Sequence, residues 1–443
     1  MTFLEFCRNK AFWLMDSLRG GEIRKSFNML EKVEGGMMTD LEVESYQKEE
    51  LEKLLNHAIE TVPRCKTMKS LRLQDWPVTN KDSYRSNYDS SLSTSFKKED
   101  LIKMSTSGST GTPFTCYQNG GKKRHVNAEV LFYNGQTGYK IGCRIIYLRS
   151  VVSEISKSKL SQFAQNIYLL NCTDLSDQGI KEKLDFIRRY TKTSPAMLMG
   201  YSSTLDAFRN YFNQHGFESA KGCNLLGVVG GSTMLYDNTR KSIEQAFGCK
   251  CFSRYANEEN GFLGQDGIEN NVFLMNRADY VTEILKINSD EPAGDGEIGR
   301  VVITDLFNYA MPMIRYDTGD VGAWTYIEVN GRKRKAVGSF GGRVIDMIYD
   351  CKGDAVSPHS ISTAMWKYKQ VEQYQFAQIG NGCYEMRLNL SDNSVNEEEI
   401  LGDLKKVVGG SANIVVKYVK EIPVLASGKR RYVVNETKKE IVV

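Results

Sequence analysis

Hydrophobic residues recur at helical intervals through residues 1–60. Between residues 41 and 60 the apolar positions lie three or four apart with charges between them, which is the spacing of an amphipathic helix. Pro63 ends that helix, and the extended segment 76–81 leads into a short helix that begins at 82–85. The sequence therefore predicts a helical region followed by an irregular connection.

Helix-like and strand-like stretches alternate over the next part of the chain. Helices are predicted at 127–138, 177–190, 205–217 and 236–247, and strands at 144–148, 196–200, 225–231 and 249–255. This alternation predicts a layered α/β domain with a largely parallel sheet. Ligands of such sheets bind at the carboxyl ends of strands, where the segments 230–232 and 255–259 fall.

The pattern changes to short strands from about residue 272. Strands are predicted at 272–275, 283–287 and 299–304, with turns rich in glycine, proline and aspartate between them, which is typical of a β-meander. The pair Gly341–Gly342 then introduces a last block that again alternates, with segments at 361–368, 373–379, 383–390, 397–408 and 414–419. The predicted fold class is α/β. We expect a large layered α/β domain with a β-meander subdomain over residues 1–341 and a small, mobile α+β domain over residues 342–443.

Composition and charge give little sign of a charged macromolecular partner. The net charge of +4 arises from 58 basic and 54 acidic residues, so neither a nucleic-acid partner nor membrane insertion is expected. Short basic runs at 122–124, 332–335 and 429–431 are interpreted as solvated faces. The apolar run 11–15 is too short, and too closely flanked by charges, for an export signal or a membrane span.

Ten cysteines without an export signal indicate reduced thiols and a cytoplasmic protein. The spacing of Cys249 and Cys251 suits neither a zinc knuckle nor a redox motif, so buried structural thiols are favoured there. We expect no structural zinc.

A hydroxyl- and glycine-rich loop, Ser105–Pro113, separates two short apolar strands at 101–104 and 114–117. At the tip of such a hairpin, backbone N–H groups and hydroxyls can surround a phosphate, because glycines allow close approach. The loop is not a Walker A motif, since Gly111 is followed by Thr112–Pro113 rather than by Lys-Ser/Thr. An anion-binding tip and a polar turn without a ligand both remain open on this ground alone.

Six segments spread along the chain form a further pattern: Trp76–Lys81, Ser105–Pro113, Tyr255–Glu259, Met311–Asp320, Gly342–Asp346 and Ser427–Lys429. Taken in order, they resemble the motifs of the adenylate-forming superfamily, which contains acyl-CoA synthetases, luciferases and nonribosomal adenylation domains. They are most similar to the phenylacetate–CoA ligase and CapK-like branch. The resemblance covers almost the whole chain.

The resemblance implies that a carboxylate attacks the α-phosphate of ATP and expels pyrophosphate. This reaction brings two anions together, so catalysis depends on positioning and charge neutralisation. The implied contacts with ATP are Ser105, Thr106, Ser107, Gly108, Ser109, Thr110, Gly111, Gly230, Gly231, Ser232, Tyr255, Ala256, Asn257, Glu258, Asp320 and Arg343.

Individual roles follow from the matched motifs. Glu259 would ligate Mg²⁺, Tyr255 would stack on the adenine and Asp320 would accept hydrogen bonds from the ribose hydroxyls. A surface glutamate, a core tyrosine and a turn aspartate are the respective alternatives. In the small domain, Arg343 would reach the ribose or a phosphate and Lys429 the reacting α-phosphate, and Asp346 would be the hinge pivot; surface positions are the alternatives for the two cations.

Two departures from the motif pattern limit what the resemblance implies. Ala256 and Glu258 stand where glycine and Thr or Ser are usual, and the extra carboxylate adds negative charge beside the phosphates. Segment 349–354 departs from the Arg-Gly pattern of many CoA ligases, so adenylation is better supported than transfer to CoA. The substrate pocket is expected to use Tyr133, Tyr201, Ser202 and Gly231.

The predicted function is an ATP- and Mg²⁺-dependent ligase that forms an acyl-adenylate from a small carboxylic acid and transfers the acyl group to CoA. An amine acceptor in surface-polysaccharide assembly is the nearest alternative, and a nucleotide-binding scaffold without turnover is a second. The identity of the acid and the oligomeric state are left open.

Overall fold

The computed structural model describes most of the chain. The described residues are 1–106, 114–149, 158–172, 174–232, 234–338, 340, 348–353, 355–356, 358–365, 367–368, 370–390, 395–423 and 431–437. Within them no helix is long and apolar enough to cross a bilayer.

Three helices open the chain, as predicted: α1 (Phe3–Leu18), α2 (Glu22–Glu34) and α3 (Asp40–Thr61). Thr2 and Thr39 cap α1 and α3 in reciprocal boxes with glutamates three residues on, which satisfies free N–H groups of each first turn. A short helix α4 (Lys81–Ser86) follows and is capped by the side chain of Asn80. It leads to the hairpin of β1 (Ile102–Thr106) and β2 (Phe114–Gln118), whose antiparallel pairing confirms the predicted strands.

The central layer is a seven-stranded sheet in the order β4-β3-β5-β6-β7-β8-β9. Its strands are β3 (Arg144–Arg149), β4 (Ile167–Asn171), β5 (Ala196–Tyr201), β6 (Leu225–Gly231), β7 (Cys251–Asn257), β8 (Gly261–Gln265) and β9 (Leu274–Met275). The first five run parallel and the last two antiparallel, so the largely parallel sheet is confirmed. Helices α5 (Gly120–Gly135), α6 (Lys159–Gln165), α7 (Asp177–Thr191), α8 (Ser202–His215) and α9 (Asp237–Phe247) accompany it.

Two sequence-based assignments in this region need correction. Segment 272–275 was predicted to open the meander, but Leu274 and Met275 pair with β8 and complete the large sheet. Helix α5 (Gly120–Gly135) begins seven residues before the predicted start at 127. Its first turn contains Lys122, which is buried, so the interpretation of the run 122–124 as solvated is wrong at Lys122. The pair α6 and β4 was not predicted at all.

The meander is a second sheet in which β10 (Tyr280–Lys286), β11 (Gly299–Asp305), β12 (Tyr316–Val329) and β13 (Arg332–Gly338) follow one another antiparallel. A bridge between Phe273 and Val337 joins its last strand to the region before β9. Strand β13 contains the basic run 332–335, and there Arg334 is buried against the Glu34 carboxylate at 2.7 Å. The interpretation of that run as wholly solvated is therefore wrong at Arg334.

The last block forms an α+β unit with its own core. It contains β14 (Ile348–Tyr349), β15 (Ala355–Val356), α10 (Pro358–Met365), β16 (Val371–Gly380), β17 (Cys383–Leu390), α11 (Glu397–Val408), β18 (Asn413–Tyr418) and β19 (Val433–Asn435). A four-stranded sheet, in the order β18-β17-β16-β19, packs Phe376, Tyr384, Ile400 and Leu404 into one cluster. The predicted boundary at 341/342 lies outside the described residues and stays a prediction.

Candidate active site

Tyr255 and Asp320 come together at one end of the large sheet. The Tyr255 hydroxyl donates to Asp320 Oδ2 at 2.9 Å and lies 3.2 Å from Thr318 Oγ1. Burial and the negative charge of Asp320 raise the pKa of Tyr255 well above its ordinary value. The Phe340 ring lies edge-on to the tyrosine ring, with 4.4 Å between centroids. Tyr255 is buried, as a core tyrosine would be, and it also holds the orientation of Asp320.

Glu259 lies four residues farther on and is almost completely buried. Its Oε1 forms an ion pair with Lys81 Nζ at 2.7 Å and lies 3.3 Å from the Tyr316 hydroxyl. The surface-glutamate alternative is therefore wrong. Sequence reasoning noted Lys81 only as the last residue of a motif; in the structure it is the first residue of α4.

The turn that carries Glu259 is fixed by its own side chains and by a glycine. Asn257 Oδ1 accepts from the N–H of Asn260 at 2.7 Å, and Gln118 donates to the carbonyl of Glu259. Gly261 has φ +124°, and a Cβ there would lie 2.5 Å from Glu129 Oε2. Only glycine fits this position, because both the backbone angle and the space exclude a side chain.

A buried polar cluster beneath this turn connects α5 to the two sheets. Lys122 Nζ lies 2.9 Å from Asp305 Oδ2 and donates to the Tyr280 hydroxyl at 2.8 Å. The Tyr280 oxygen is 2.7 Å from Glu129 Oε1 and 2.8 Å from the Asn260 carbonyl. One hydroxyl hydrogen cannot serve both acceptors, so a protonated Glu129 that donates to Tyr280 satisfies the cluster.

The pKa values of the cluster agree with that arrangement. Burial raises the pKa of Glu129 to about 8, although Lys122 opposes the shift. Burial also disfavours the charge on Lys122, but the Asp305 and Glu129 carboxylates hold its pKa above the ordinary value. Lys122 is thus a buried counter-ion.

The glycines at the end of β6 leave space beside the same sheet edge. A Cβ at Gly230 would lie 3.1 Å from Ser202 Oγ, whereas one at Gly231 would meet only the Arg254 carbonyl oxygen, at 3.9 Å. Ser232 takes a left-handed φ of +71°, which turns the chain away from the strand. Ser202 Oγ lies 3.4 Å from the Gly231 carbonyl, which ties the start of α8 to this edge.

The remaining predicted residues have mixed placements. Tyr133 is buried in α5, Tyr201 ends β5, and Ala256 and Glu258 are exposed beside the turn. Ser105 Oγ lies 3.2 Å from Thr115 Oγ1 across the hairpin, and Thr106 pairs with Phe114. The predicted residues that lie outside the described part of the chain are Ser107, Gly108, Ser109, Thr110, Gly111, Arg343, Asp346 and Lys429.

The donor set fits a weakly held hard cation better than a preformed metal cage. Among the described residues no group of three or more His, Cys, Asp or Glu side chains could hold a metal. A single buried carboxylate suits Mg²⁺, which is commonly held by one or two carboxylates together with substrate phosphates.

The chain is similar in sequence to known proteins. The family model described as the CapK C-terminal domain matches residues 348–436. Protein CapK of Staphylococcus aureus is 25% identical over 371 residues, which cover 82% of this chain and 80% of CapK. Phenylacetate-coenzyme A ligase of Pseudomonas putida is 22% identical, with 88% of this chain and 93% of that protein covered.

A solved structure extends the similarity to the fold. The 2-hydroxyisobutyryl-CoA ligase, in its postadenylation state with R3-HIB-AMP, superposes with a TM-score of 0.72 at 16% identity and covers 91% of both chains. The chain therefore shares the fold of this ligase. Its sequence is similar to CapK and to phenylacetate-coenzyme A ligase, in agreement with the resemblance of its motifs to the adenylate-forming superfamily.

Proposed function

We propose that this ligase condenses a small carboxylic acid with ATP to give an acyl-adenylate and pyrophosphate, and then transfers the acyl group to CoA. The observation that carries the proposal is the contact between Tyr255 and Asp320 at 2.9 Å, with the Glu259–Lys81 pair in the adjoining turn. Residues distant in sequence thus converge where a nucleotide and a cation would bind.

The roles of these residues follow from the charges that the reaction must offset. Asp320, oriented by Tyr255, would accept hydrogen bonds from the ribose hydroxyls. Lys81 lies at Glu259 and is placed to neutralise phosphate oxygens there, while Lys429 and Arg343 are proposed to do so from the small domain. Bound at Glu259, Mg²⁺ would supply positive charge to the departing pyrophosphate. Asp346 stays the proposed hinge pivot between residues 1–341 and 342–443.

The decisive measurement is the nucleotide product when candidate acids are supplied. We expect pyrophosphate and AMP; formation of ADP would contradict adenylation. A Lys429→Ala variant should lose turnover and keep ATP binding, whereas unchanged activity would favour a scaffold.

An amine acceptor is the second candidate. The turn between β14 and β15 contains Asp350 and Lys352 and lacks the Arg-Gly pattern that a pantetheine path would favour. Addition of CoA or of amino sugars and amino acids, with the product identified by mass, separates the two acceptors. All ten cysteines are free thiols, which supports a reducing compartment such as the cytoplasm.

A further inference from the structure

Arg254 lies on β7 directly before Tyr255 and is only 8% exposed. Its Nε donates to Gln265 Oε1 and one of its Nη2 hydrogens to Asn134 Oδ1, both at 2.9 Å. The guanidinium lies over the Phe262 ring, 4.5 Å from its centroid. All of these partners are neutral.

The other deeply buried arginines of the described chain each have a carboxylate. Arg240 pairs with Asp266, Arg315 with Glu283 and Arg334 with Glu34. No described acidic residue forms an ion pair with Arg254, and its Nη1 has no hydrogen-bond partner among the described residues. Burial lowers its pKa to about 9. A buried cation without a counter-charge is costly, so the presence of Arg254 here indicates an anion that the described residues do not supply.

Tyr133, on the same helix α5 as Asn134, supplies a second hydrogen-bond donor without a described partner. Its hydroxyl is buried and has no hydrogen-bond partner among the described residues. Its ring stacks on Phe262, with centroids 6.1 Å apart, and its carbonyl accepts from the same Gln265 that binds Arg254. The carbonyl of Arg254 also borders the space at Gly231.

We propose that Arg254 and Tyr133 bind a second carboxylate of the substrate, so that the activated acid is a dicarboxylic acid. This rests on the proposed function. Successive side chains of a strand point to opposite faces, so Arg254 faces α5 while Tyr255 faces Asp320. Arg254 therefore lies on the side away from the proposed nucleotide contacts, where the far end of the acid would lie. One guanidinium N–H and one hydroxyl match the two oxygens of a carboxylate.

The test compares acids that differ only in the second carboxylate: succinate with butyrate, glutarate with pentanoate, and isophthalate with benzoate. Pyrophosphate release gives kcat/KM, and the shift in thermal unfolding midpoint reports binding independently of turnover. We expect the wild type to prefer a diacid over its partner and to be stabilised by it. Arg254→Met should lower the diacid-to-monoacid ratio of kcat/KM by about 10-fold to 100-fold, because a charge-assisted contact is lost.

Matched variants keep the test interpretable if Arg254→Met folds poorly. Tyr133→Phe keeps the ring on Phe262 and removes only the hydroxyl, so the ratio should fall about 5-fold. Arg254→Lys should recover part of the loss. Arg240→Met is the control for stability: it leaves Asp266 buried without its cation and should lower the unfolding midpoint more than Arg254→Met does.

The experiment distinguishes failure of the dicarboxylate inference from failure of the proposed adenylation. If monoacids release pyrophosphate and no diacid binds, the dicarboxylate is wrong and the adenylation stands. If diacids stabilise the wild type but not Arg254→Met, and no pyrophosphate forms, the subsite stands and the proposed function falls. Equal losses with both acids of a pair would place Arg254 at the reacting carboxylate and overturn the inference.

Discussion

The charge on Glu259 has a partner in the protein before any substrate binds. Lys81 at the start of α4 contacts it at 2.7 Å, so the buried carboxylate lies beside a positive charge. If Mg²⁺ binds this carboxylate, Lys81 would be placed to contact a phosphate oxygen. We therefore propose Lys81 as a member of the site.

Substitution of Lys81 tests that role. Lys81→Met should reduce kcat for pyrophosphate release about 10-fold to 100-fold, because a charge-assisted contact to phosphate is lost. Lys81→Arg should recover part of the rate. Lys48→Met, at an exposed lysine of α3, is the control and should match the wild type. A kcat unchanged in Lys81→Met would assign the lysine to stability alone.

Removal of the Tyr255 hydroxyl tests the proposed contact between Asp320 and the ribose. Tyr255→Phe removes the hydrogen bond that orients Asp320, so KM for ATP should rise about 5-fold with little change in kcat. An ATP analogue that lacks both ribose hydroxyls is the control, because with it wild type and variant should behave alike. Equal weakening of both nucleotides would contradict this, because the Tyr255 hydroxyl would then not act through the ribose.

At the level of single residues, sequence reasoning could find motif members but not their partners. Tyr255, Glu259 and Asp320 could be named because their segments resemble family motifs, and their roles stay predictions. The partners Lys81 and Arg254 were not, since a lysine or arginine in isolation is most often on the surface. Burial of Arg254 depends on α5, which lies far away in the sequence.

Among the elements, α5 is held to the two sheets by charge as well as by apolar packing. Lys122, Glu129 and Tyr280 connect it to the carbonyl of Asn260, the neighbour of Glu259. Asp279 and Asp305 also face this cluster, and His125 contacts Asp279 at 2.8 Å. The stability of the turn that carries Glu259 is therefore coupled to protonation.

The raised pKa of Glu129 determines whether stability rises or falls with pH. Its pKa is raised from 4.5 to about 8 in the folded protein, so the stability contributed by its proton is full below pH 4.5 and is lost as the pH rises to about 8. Glu129→Gln keeps the shape and removes the titration. Between pH 5 and pH 8.5 the free energy of unfolding of this variant should gain roughly 2–4 kcal/mol on the wild type, measured by denaturant titration.

An exposed glutamate serves as the matched control for this titration. Glu44→Gln on α3 should show no change in its difference from the wild type over the same range. A constant difference for Glu129→Gln as well would mean that Glu129 is ionised throughout.

Helices and strands could be predicted where a continuous hydrophobic pattern defines them. They were missed or misplaced where buried charged residues, paired with residues distant in sequence, interrupt that pattern. The parallel strands β3, β5, β6 and β7 are apolar runs with turns at their ends and could be predicted, whereas β4 was missed. The start of α5 and strand β13 were not, because buried Lys122 and Arg334 interrupt the apolar pattern. Their counter-ions, Asp305 and Glu34, lie far away along the chain. The partner of β9 was likewise not readable, since period-2 alternation gives no information on which strand pairs.

On the scale of the whole molecule, a cluster of three tyrosines connects the two sides of the proposed domain boundary. Tyr432 lies between Tyr236 of the large part and Tyr374 of the small one, with ring centroids 4.9 and 5.3 Å apart. Its hydroxyl lies 3.4 Å from Asp206 Oδ2 on α8. Tyr432 follows Lys429 by three residues, so this contact bears on where the proposed catalytic lysine lies.

Loss of the Tyr236 ring should loosen the small domain. An aromatic pair contributes about 0.5–1.5 kcal/mol, so Tyr236→Ala should change the ratio of domain arrangements about 2-fold to 10-fold. Small-angle scattering should show a larger radius of gyration, and pyrophosphate release should slow if Lys429 acts from this domain. Tyr418→Ala, at an exposed tyrosine of the same domain, is the control and should scatter like the wild type. Identical scattering with slower release would contradict this, because Tyr236 would then act within the large domain.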